Sequence, residues 1–367
     1  MIDDGVTDTD GLLDEVVAIL RRFIVWQSED QAVFVALWVL HTYVFERFET
    51  TPYLDVTSAA KQSGKTRLLI ELLPLLVARP WPVFDASEAV LFRKIDQDHP
   101  TLLVDEVDAT FGKDAKVTEG LRAIFNVGYR QGAMVPRCVG NNHEPTDFNV
   151  YGPKGFAGLK GLPDTVKDRS GRIELKRRSR SEPKPERLRP SKLRPELEPL
   201  AGKLTRWAKH HGEALAEARP VLPESLSDRA QDGCEVLAAI ADLAGCDWPT
   251  RAAKAFPAVM GRDHDEDLGV ILLGHCREAF DGRDRLTTAE MLRALVDRGD
   301  DSPWAGWWGK DLDDGNTRKP AMKLAQSLKP YDIHAKALWT STDGKGKSVR
   351  GFERDDFVDA WERYLAP

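Results

Sequence analysis

The hydrophobic positions near the start of the chain repeat with the period of an α-helix. Leu12, Val16 and Ile19 lie three or four residues apart, a spacing that places their side chains on one helix face. Ser28 with Gln31 three residues later forms a capping-box pattern, which predicts a second helix that runs to about residue 48. The chain is therefore predicted to begin with a helical segment.

From Tyr53 onward, short apolar runs alternate with helical segments. The runs Leu54–Thr57 and Thr101–Val104 are typical of buried strands, and two further runs near residues 155–159 and 172–176 have the same character. Alternation of strands and helices is the pattern of a parallel sheet with helices on both faces. We therefore predict an α/β core.

Two strand-like runs in the middle of this core flank a polar stretch. Residues 134–139 and 148–151 contain most of the apolar positions, whereas 140–147 contains a glycine, two asparagines, a histidine and a proline. A turn-rich stretch between two such runs predicts a β-hairpin. We expect this hairpin to be inserted before the next strand of the sheet.

The last hundred residues predict helices, two strands and a final helix. Thr287 with Glu290 begins a helix, and a loop rich in packed tryptophans (304, 307 and 308) follows it. A helix over about 319–328 then precedes two strand-like runs, 335–341 and 348–352, joined by a turn rich in lysine and glycine. Three helices with a basic two-stranded hairpin are typical of a winged helix.

A basic, proline-rich stretch separates the core from the helices that follow it. Nine lysines and arginines and four prolines lie between residues 176 and 196. A solvated connector and a surface that follows a nucleic-acid backbone both explain this composition. The predicted organisation is an N-terminal helical segment at 1–50, an α/β core at 51–178, a basic linker at 179–196, a helical domain at 197–262 and a winged-helix-like domain at 263–367.

Composition and charge narrow the class of protein. An apolar fraction of 42% and a charged fraction of 30% are those of a soluble globular protein. A net charge of −7 excludes a uniformly basic nucleic-acid coat but allows local basic patches. The four cysteines are widely spaced and follow no zinc-ligand pattern, and no apolar run is long enough to cross a bilayer. These features predict a cytoplasmic protein that is not bound to a membrane.

The stretch between the first predicted strand and the next helix has the composition of a phosphate-binding loop. Backbone N–H groups of such a loop, with the positive end of the helix behind it, cradle phosphates. Lys65 is expected to reach the β- and γ-phosphates of ATP, and the hydroxyl of Thr66 to bind Mg²⁺. The first glycine of the pattern is replaced by Ala59, which adopts a positive φ less readily than glycine. The predicted nucleotide-binding residues are Ala59, Ala60, Lys61, Gln62, Ser63, Gly64, Lys65, Thr66 and Arg67.

A second motif supports this interpretation. The apolar strand Thr101–Val104 ends in Asp105 and Glu106, about forty residues after the loop. Asp105 is expected to bind the Mg²⁺ shell at the carboxyl end of the strand, and Glu106 to polarise the attacking water as the catalytic base. Together with Lys65 and Thr66, the two acids predict a nucleotide-hydrolysing core rather than a chance match.

These motifs resemble those of AAA+ ATPases, and within them the branch with a β-hairpin before the sensor-1 strand, which includes superfamily III helicases. The resemblance rests on Ala59–Thr66, Leu102–Glu106, the 134–151 hairpin and the stretch from Leu162 to Ser170. With the tail from Leu226 to Pro249 it extends to phage- and mobile-element-encoded replication ATPases that carry a C-terminal domain of unknown function.

The resemblance implies a homo-oligomer, a hexameric ring, that binds nucleotide between subunits and acts on single-stranded or forked DNA. It also implies a primase or other replication proteins as partners. Arg169 matches the position of an arginine finger, with Arg172 in reserve; a structural ion pair of Arg169 with Asp164 or Asp168 is the alternative. Lys160 and Asn149 are candidates for sensor 1, and Arg229 is a candidate for sensor 2.

Three places in the sequence could contact DNA: the hairpin tip at 140–147, the basic linker at 176–196 and the wing at 344–350. The hairpin tip offers hydrogen-bond donors at Asn141, Asn142 and His143, and the wing offers cations at Lys345, Lys347 and Arg350. Arg318, Lys319 and Lys323 of the preceding helix would then face the major groove. A replicative helicase or helicase loader is the function that these features favour. A nucleotide-gated DNA-binding regulator or assembly switch without unwinding activity is the alternative.

Overall fold

The computed structural model describes residues 8–58, 63–84, 86–105, 115–139, 144–158, 162–178, 183–261, 268–298, 303–342 and 345–365. The chain divides into two compact units, Met1–Arg262 and Asp263–Pro367. The five predicted segments thus fall into two units, because the N-terminal helices share one apolar core with the helices that follow the sheet.

Helices α1 (Thr9–Phe23) and α2 (Glu29–His41) form the N-terminal part of the first unit. Helix α1 is amphipathic, with Asp10 in its first turn and arginines in its last turn, which complements the helix dipole. Helix α2 is buried along almost its whole length, as expected for a helix that is apolar all round. The capping box predicted at Ser28 is absent, since Ser28 makes no side-chain cap and Gln31 donates instead to the carbonyl of Glu174, 3.3 Å away.

Five of the described strands of the first unit form a parallel sheet, which bears out the predicted α/β core. The order across the sheet is β2-β3-β6-β1-β7. The strands are β1 (Tyr53–Thr57), β2 (Pro80–Val83), β3 (Thr101–Val104), β6 (Lys154–Ala157) and β7 (Ser170–Glu174). Between β1 and β2, the chain forms a π-helix at Arg67–Leu72 and a 3₁₀ turn at Leu73–Leu75.

Each face of the sheet is covered by its own apolar core. Leu54 and Val56 of β1 lie in the core formed with α1 and α2. Tyr53 of β1 and Phe156 of β6 lie in the opposite core, whose helices are α3 (Glu88–Asp98) and α4 (Ala115–Val127). Burial on both faces explains why β3 ends in a continuous apolar run, Leu102–Val104.

The predicted hairpin is formed by β4 (Met134–Val139) and β5 (Glu144–Asn149), which pair antiparallel outside the main sheet. Its base packs on α3, where the rings of Phe92 and Phe148 lie 4.5 Å apart and Arg137 pairs with Glu88 at 2.6 Å. After β5 the chain enters β6, which lies between β1 and β3. The hairpin is therefore inserted before a central strand of the sheet, as predicted.

Three helices follow the sheet and complete the first unit: α6 (Pro190–Ala216), α7 (Asp228–Ala244) and α8 (Trp248–Val259), with the short α5 (Asp164–Lys167) preceding β7. Helix α6 begins inside the predicted linker, so the linker boundary at residue 196 was placed too late. Proline is tolerated in the first turn of a helix, and Leu193 is buried, which allows the helix to begin at Pro190.

The second unit has its own core and a small antiparallel sheet of order β8-β10-β9. Its elements are α9 (Leu268–Phe280), β8 (Arg285–Thr287), α10 (Thr288–Val296), α11 (Pro303–Asp313), α12 (Arg318–Leu328), β9 (Lys336–Thr342), β10 (Lys345–Glu353) and α13 (Asp355–Tyr364). The capping box predicted at Thr287 and Glu290 is present.

The tryptophan-rich stretch is a helix, α11, and not the predicted loop. Trp304 and Trp308 lie four residues apart, and their stacked rings, 5.0 Å apart, are both buried in the core of the second unit. Burial of two indoles outweighs the low helix propensity of Gly306 and Gly309. None of the described helices has the length and hydrophobicity that crossing a bilayer requires.

Candidate nucleotide-binding site

The phosphate-loop residues that the structure describes lie at the carboxyl end of β1. Ser58 follows the strand directly, and its Oγ accepts a hydrogen bond from Nζ of Lys65 at 2.5 Å. Gly64 has a φ of +101°, a conformation that a residue with a side chain would adopt only with strain. Oγ of Ser63 is buried and has no hydrogen-bond partner among the described residues. A buried hydroxyl of this kind is expected where a ligand supplies the partner.

Thr66 lies just before the π-helix that follows β1, and Asp105 follows β3, a strand that is not a neighbour of β1 in the sheet. Oγ1 of Thr66 donates a hydrogen bond to Oδ2 of Asp105 at 2.8 Å. Asp105 is buried at the end of β3, where its backbone N–H also donates to the carbonyl of Val83 at 3.2 Å. A hydroxyl and a carboxylate oxygen are both ligands that Mg²⁺ prefers. The pair therefore fits a magnesium ion, with Lys65 beside it for the phosphates.

Several predicted residues of this site lie outside the described residues: Ala59, Ala60, Lys61 and Gln62 of the loop, Glu106 and the sensor-1 candidate Lys160. Arg67 is described and begins the π-helix after the loop. The other sensor-1 candidate, Asn149, lies in β5, where its Oδ1 accepts from the N–H of Tyr151 at 2.9 Å.

A cavity of about 480 Å³ adjoins the phosphate loop. One wall is apolar and comes from Phe23 and the two residues after α1. The other walls are cationic and contain Arg67, Lys176, Arg178, Lys184 and Arg187. This volume is within the range of small-molecule sites. The basic stretch identified in the sequence thus lines a cavity next to Ser63 and Gly64 rather than extending freely into solvent.

An arginine from α1 holds the basic stretch in this position. The guanidinium of Arg22 forms ion pairs with Glu186, at 3.0 Å, and with Glu196. The backbone N–H of Glu186 also donates to the carbonyl of Arg22 at 2.8 Å. Each pair is partly exposed and therefore weak by itself, but the backbone bond fixes the path of the chain beside the cavity.

Arg169 lies at the opposite end of the sheet from the phosphate loop. Its carbonyl accepts from the N–H of Tyr53 at the start of β1, and β1 spans about 17 Å at roughly 3.3 Å per residue. The guanidinium lies over the ring of Tyr129, 4.4 Å from its centre, and donates to the carbonyl of Thr165. Arg169 is therefore too far along the strand to contact a nucleotide in its own subunit.

The acid next to Arg169 has another arginine as a partner. Asp168 pairs with Arg229 at 2.9 Å, which joins the turn before β7 to the first turn of α7. Arg229, the sensor-2 candidate, is thus engaged at the Arg169 end of the sheet. Arg172 is exposed on β7.

A buried lysine that the sequence analysis did not identify lies at the start of β6, a neighbour of β1 in the sheet. Lys154 begins β6, is almost fully buried, and donates to the carbonyls of Gly128, Val150 and Gly152 at 3.1, 2.9 and 2.9 Å. Its Nζ lies 5.0 Å from the ring centre of Tyr53. Burial lowers the pKa of Lys154 to about 7. The only signal in the sequence is a single charge at the start of an apolar run.

The predicted DNA contacts are described in part. The tip residues Asn141, Asn142 and His143 lie outside the described residues, and Lys345 and Lys347 are described only as backbone positions of β10. Arg350 is exposed on β10, and one of its guanidinium nitrogens donates to the carbonyl of Ala335 at 2.8 Å. Arg318, Lys319 and Lys323 are exposed on α12.

One curated protein is similar in sequence to this chain. An uncharacterised 28.9 kDa protein in the xis 5′ region of Saccharopolyspora erythraea is 36% identical over 171 residues, which are 46% of this chain and 60% of that protein. The chain thus covers less than two thirds of that relative's length.

Two solved structures are similar in part. The apo A form of the NrS-1 C-terminal region has a TM-score of 0.37 at 11% identity and covers 94% of this chain and 75% of its own. An inhibitor-bound JCV helicase has a TM-score of 0.27 at 14% identity, with 69% and 68% covered. These TM-scores are too low to assign a function. A family model described as a protein of unknown function (DUF3631) matches residues 174–364, just over half of the chain. The chain belongs to the DUF3631 family.

Proposed function

We propose that this protein is a magnesium-dependent, AAA+-like ATPase that acts on DNA in phage or mobile-element replication, as a replicative helicase or helicase loader. The observation that carries the proposal is the 2.8 Å hydrogen bond between Thr66 and Asp105, with Lys65 next to Thr66 in the loop after β1. Sequence positions 66 and 105 belong to separate motifs, and their contact creates one site with a cation for phosphate and two oxygens for metal.

Each residue has a distinct role in this proposal. Lys65 binds the β- and γ-phosphates, and Thr66 and Asp105 hold Mg²⁺, which neutralises charge on the phosphates when bound. Glu106 follows Asp105 directly in the chain and is assigned the role of general base for water. The cavity of about 480 Å³ beside Ser63 and Gly64 has room for the nucleoside.

The proposal includes an oligomer with nucleotide at the subunit interfaces. Arg169 lies a full strand length from its own phosphate loop, so any contact of its guanidinium with a γ-phosphate would be made in a neighbouring subunit. A hexameric ring is the assembly that the AAA+ resemblance favours. In such a ring, the β4–β5 hairpin, attached to the central strand β6, would move with the nucleotide site.

DNA binding is assigned to the second unit. The order α9-β8-α10-α12-β9-β10, with α11 inserted before α12, supports a winged helix whose β9–β10 hairpin is the wing. The exposed cations of α12 and the exposed Arg350 of β10 supply charge for backbone phosphates. A primase or another replication protein is the proposed partner.

Nucleotide binding and hydrolysis by three variants test the site. Lys65→Ala should abolish ATP binding, Asp105→Asn should abolish the magnesium dependence of binding, and Glu106→Gln should bind ATP without hydrolysing it. Asp98→Asn, an exposed aspartate at the end of α3, is the matched control and should behave as wild type. Absence of magnesium-dependent ATP binding in the wild-type protein would refute the proposal.

Strand displacement on a forked duplex separates the motor from the alternative. A helicase displaces the strand only with hydrolysable ATP, and Glu106→Gln should not displace it. A nucleotide-gated regulator or assembly switch would bind the fork, change affinity with nucleotide and displace nothing. Measurement of the oligomeric state with ATP bound to Glu106→Gln tests the ring in the same preparation.

A further inference from the structure

The hairpin of β9 and β10 has one face toward the core of the second unit and one face toward solvent. Leu338 lies opposite Val349 and is buried, whereas its neighbours in the pairing, Trp339 opposite Ser348 and Ala337 opposite Arg350, are exposed. Side chains alternate between the two faces of a strand. Trp339, Ser348, Ala337 and Arg350 therefore share the outer face.

Trp339 differs from the other tryptophans described in this unit. It is 74% exposed, whereas Trp304, Trp308 and Trp361 are buried in the core and Trp307 is half exposed against the ring of Trp304. A single exposed apolar side chain is common on protein surfaces and needs no explanation by itself. Its surroundings on the hairpin give this one a specific chemistry.

The hairpin carries an excess of positive charge. Between residues 336 and 350 the sequence contains four cations, Lys336, Lys345, Lys347 and Arg350, and one acid, Asp343. Lys336 is engaged at the base of the hairpin by Asp356, at 2.6 Å, and by Glu353. The remaining three cations all lie on β10, where Arg350 has the register of the Trp339 face and positions 345 and 347 alternate with it.

Arg350 and Trp339 are arranged to act together on the outer face. They occupy diagonal positions of the β9–β10 pairing, because Trp339 lies opposite Ser348 and Arg350 is two residues further along β10. Diagonal neighbours of this kind are about 7–8 Å apart. The hydrogen bond from Arg350 to the carbonyl of Ala335 holds the arginine at the base of the same face.

We propose that the outer face of this hairpin binds single-stranded DNA, with an unpaired base stacked on Trp339 and a flanking phosphate beside Arg350. The charge of the hairpin selects a polyanion, and the exposed indole selects a partner with flat, accessible π-faces. Bases inside a duplex are already stacked, so their faces are unavailable to Trp339. The inference rests on the proposed function, since it names the form of DNA that the wing recognises.

The test compares three fluorescein-labelled probes with the full-length protein: a twenty-nucleotide oligothymidine, an abasic strand of equal length and phosphate number, and a twenty-base-pair duplex. Trp339→Ala should weaken binding of oligothymidine by about 5- to 150-fold, which corresponds to about 1–3 kcal/mol for one stacked base. Its affinity for the abasic strand should not change. Trp339→Phe, which keeps an aromatic face, should lose much less.

Trp307→Ala is the matched control, because Trp307 is half exposed in the same unit but lies on α11, outside the hairpin. It should bind all three probes as wild type does. Unchanged binding of oligothymidine by Trp339→Ala, or an equal loss for the abasic strand, would overturn the inference. A protein partner for Trp339 is the conclusion if the wild type binds oligothymidine and the abasic strand equally.

Failure of this inference and failure of the proposed function give different results. ATP binding by the wild type, measured without DNA, reports on the phosphate loop alone. A protein that binds ATP and binds both strands equally keeps the proposed function and loses the stacking site. A protein that binds none of the three probes at low salt loses both the stacking site and the assignment of DNA as substrate.

Discussion

Replacement of Lys154 by methionine removes a charge from the interior of the first unit while nearly preserving side-chain length. The lysine joins three backbone segments: the end of α4 at Gly128, the residue after the β4–β5 hairpin at Val150, and the turn at Gly152. It also begins β6, the strand between the two motif strands. The variant therefore tests how the hairpin is attached to the sheet that carries Asp105.

Two effects of opposite sign act on the lysine. Burial lowers its pKa from 10.5 to about 7, which at about 1.4 kcal/mol per unit is a cost of about 5 kcal/mol for holding the proton inside the folded protein. Three carbonyl acceptors match the three N–H groups of the ammonium, so loss of the proton leaves one carbonyl without a donor, at about 1–3 kcal/mol. The hydrogen bonds therefore oppose the effect of burial on the pKa of Lys154 without cancelling it.

The sign of the pH dependence follows from this shift. Between about pH 7 and 10.5 the lysine keeps its proton in the unfolded chain and loses it in the folded one, so the unfolded state binds more protons and stability rises with pH. Between pH 7 and 9 the free energy of unfolding of the wild type should increase by about 2 kcal/mol relative to Lys154→Met.

Urea unfolding at pH 7, 8 and 9 measures this difference. Lys209→Met, at an exposed position of α6, is the control and should follow the wild type at every pH. A difference between wild type and Lys154→Met that is the same at pH 7 and pH 9 would show that the lysine is not desolvated as described. The comparison uses only the change with pH, so the absolute cost of the substitution does not affect it.

Three further predictions concern the interface, the wing and the packing behind the site. Arg169→Ala should bind ATP normally but hydrolyse it about 10³-fold or more slowly, with partial rescue when it is mixed with Lys65→Ala. Arg172→Ala should hydrolyse ATP at the wild-type rate, and equal rates for the two arginine variants would exclude a finger at Arg169. Replacement of Lys345, Lys347 and Arg350 by glutamine should weaken DNA binding and leave the basal ATPase rate intact. The slope of log binding constant against log salt concentration should fall in magnitude by about 0.7–0.9 for each phosphate that the protein no longer neutralises, and an unchanged slope would place the DNA elsewhere. Gly128→Ala should destabilise the first unit by about 1–3 kcal/mol in urea unfolding, because its Cβ would lie 2.4 Å from the carbonyl oxygen of Val150. Gly11→Ala, with open space around the new Cβ, should be neutral or stabilising, and equal stability of the two variants would contradict the packing described.

The local features of the site were predictable because each depends on a short stretch of sequence. Apolar runs at β1 and β3 identify strands, and the polar residues after them must lie at the carboxyl edge of a parallel sheet. The contact between Thr66 and Asp105 is a direct consequence. The β4–β5 hairpin was predictable for the same reason, since its two runs and its polar tip are contiguous in sequence.

Features that depend on partners distant in sequence were missed. Lys154 lies between Pro153 and Gly155, neighbours that are typical of a turn, and only the placement of β6 between β1 and β3 buries it. Gln31 fits a capping box, yet its amide donates to the carbonyl of Glu174, which lies 143 positions further along the chain. The glycines of α11 favour a loop locally, but the stacked indoles of Trp304 and Trp308 favour a helix once a core is present.

The part of the chain that matches the DUF3631 family does not coincide with the parts that form complete apolar cores. The family match begins at residue 174, the last residue of β7, and ends at residue 364, the last residue of α13. It therefore includes α8 but not α2, although Phe256 and Phe34 pack edge to face across that boundary at 6.4 Å. A polypeptide cut at residue 174 would expose half of a core and should aggregate, whereas a cut between residues 262 and 263 leaves each core whole. The stretch that the family match covers and the stretches that each contain a whole core are thus different segments of this chain.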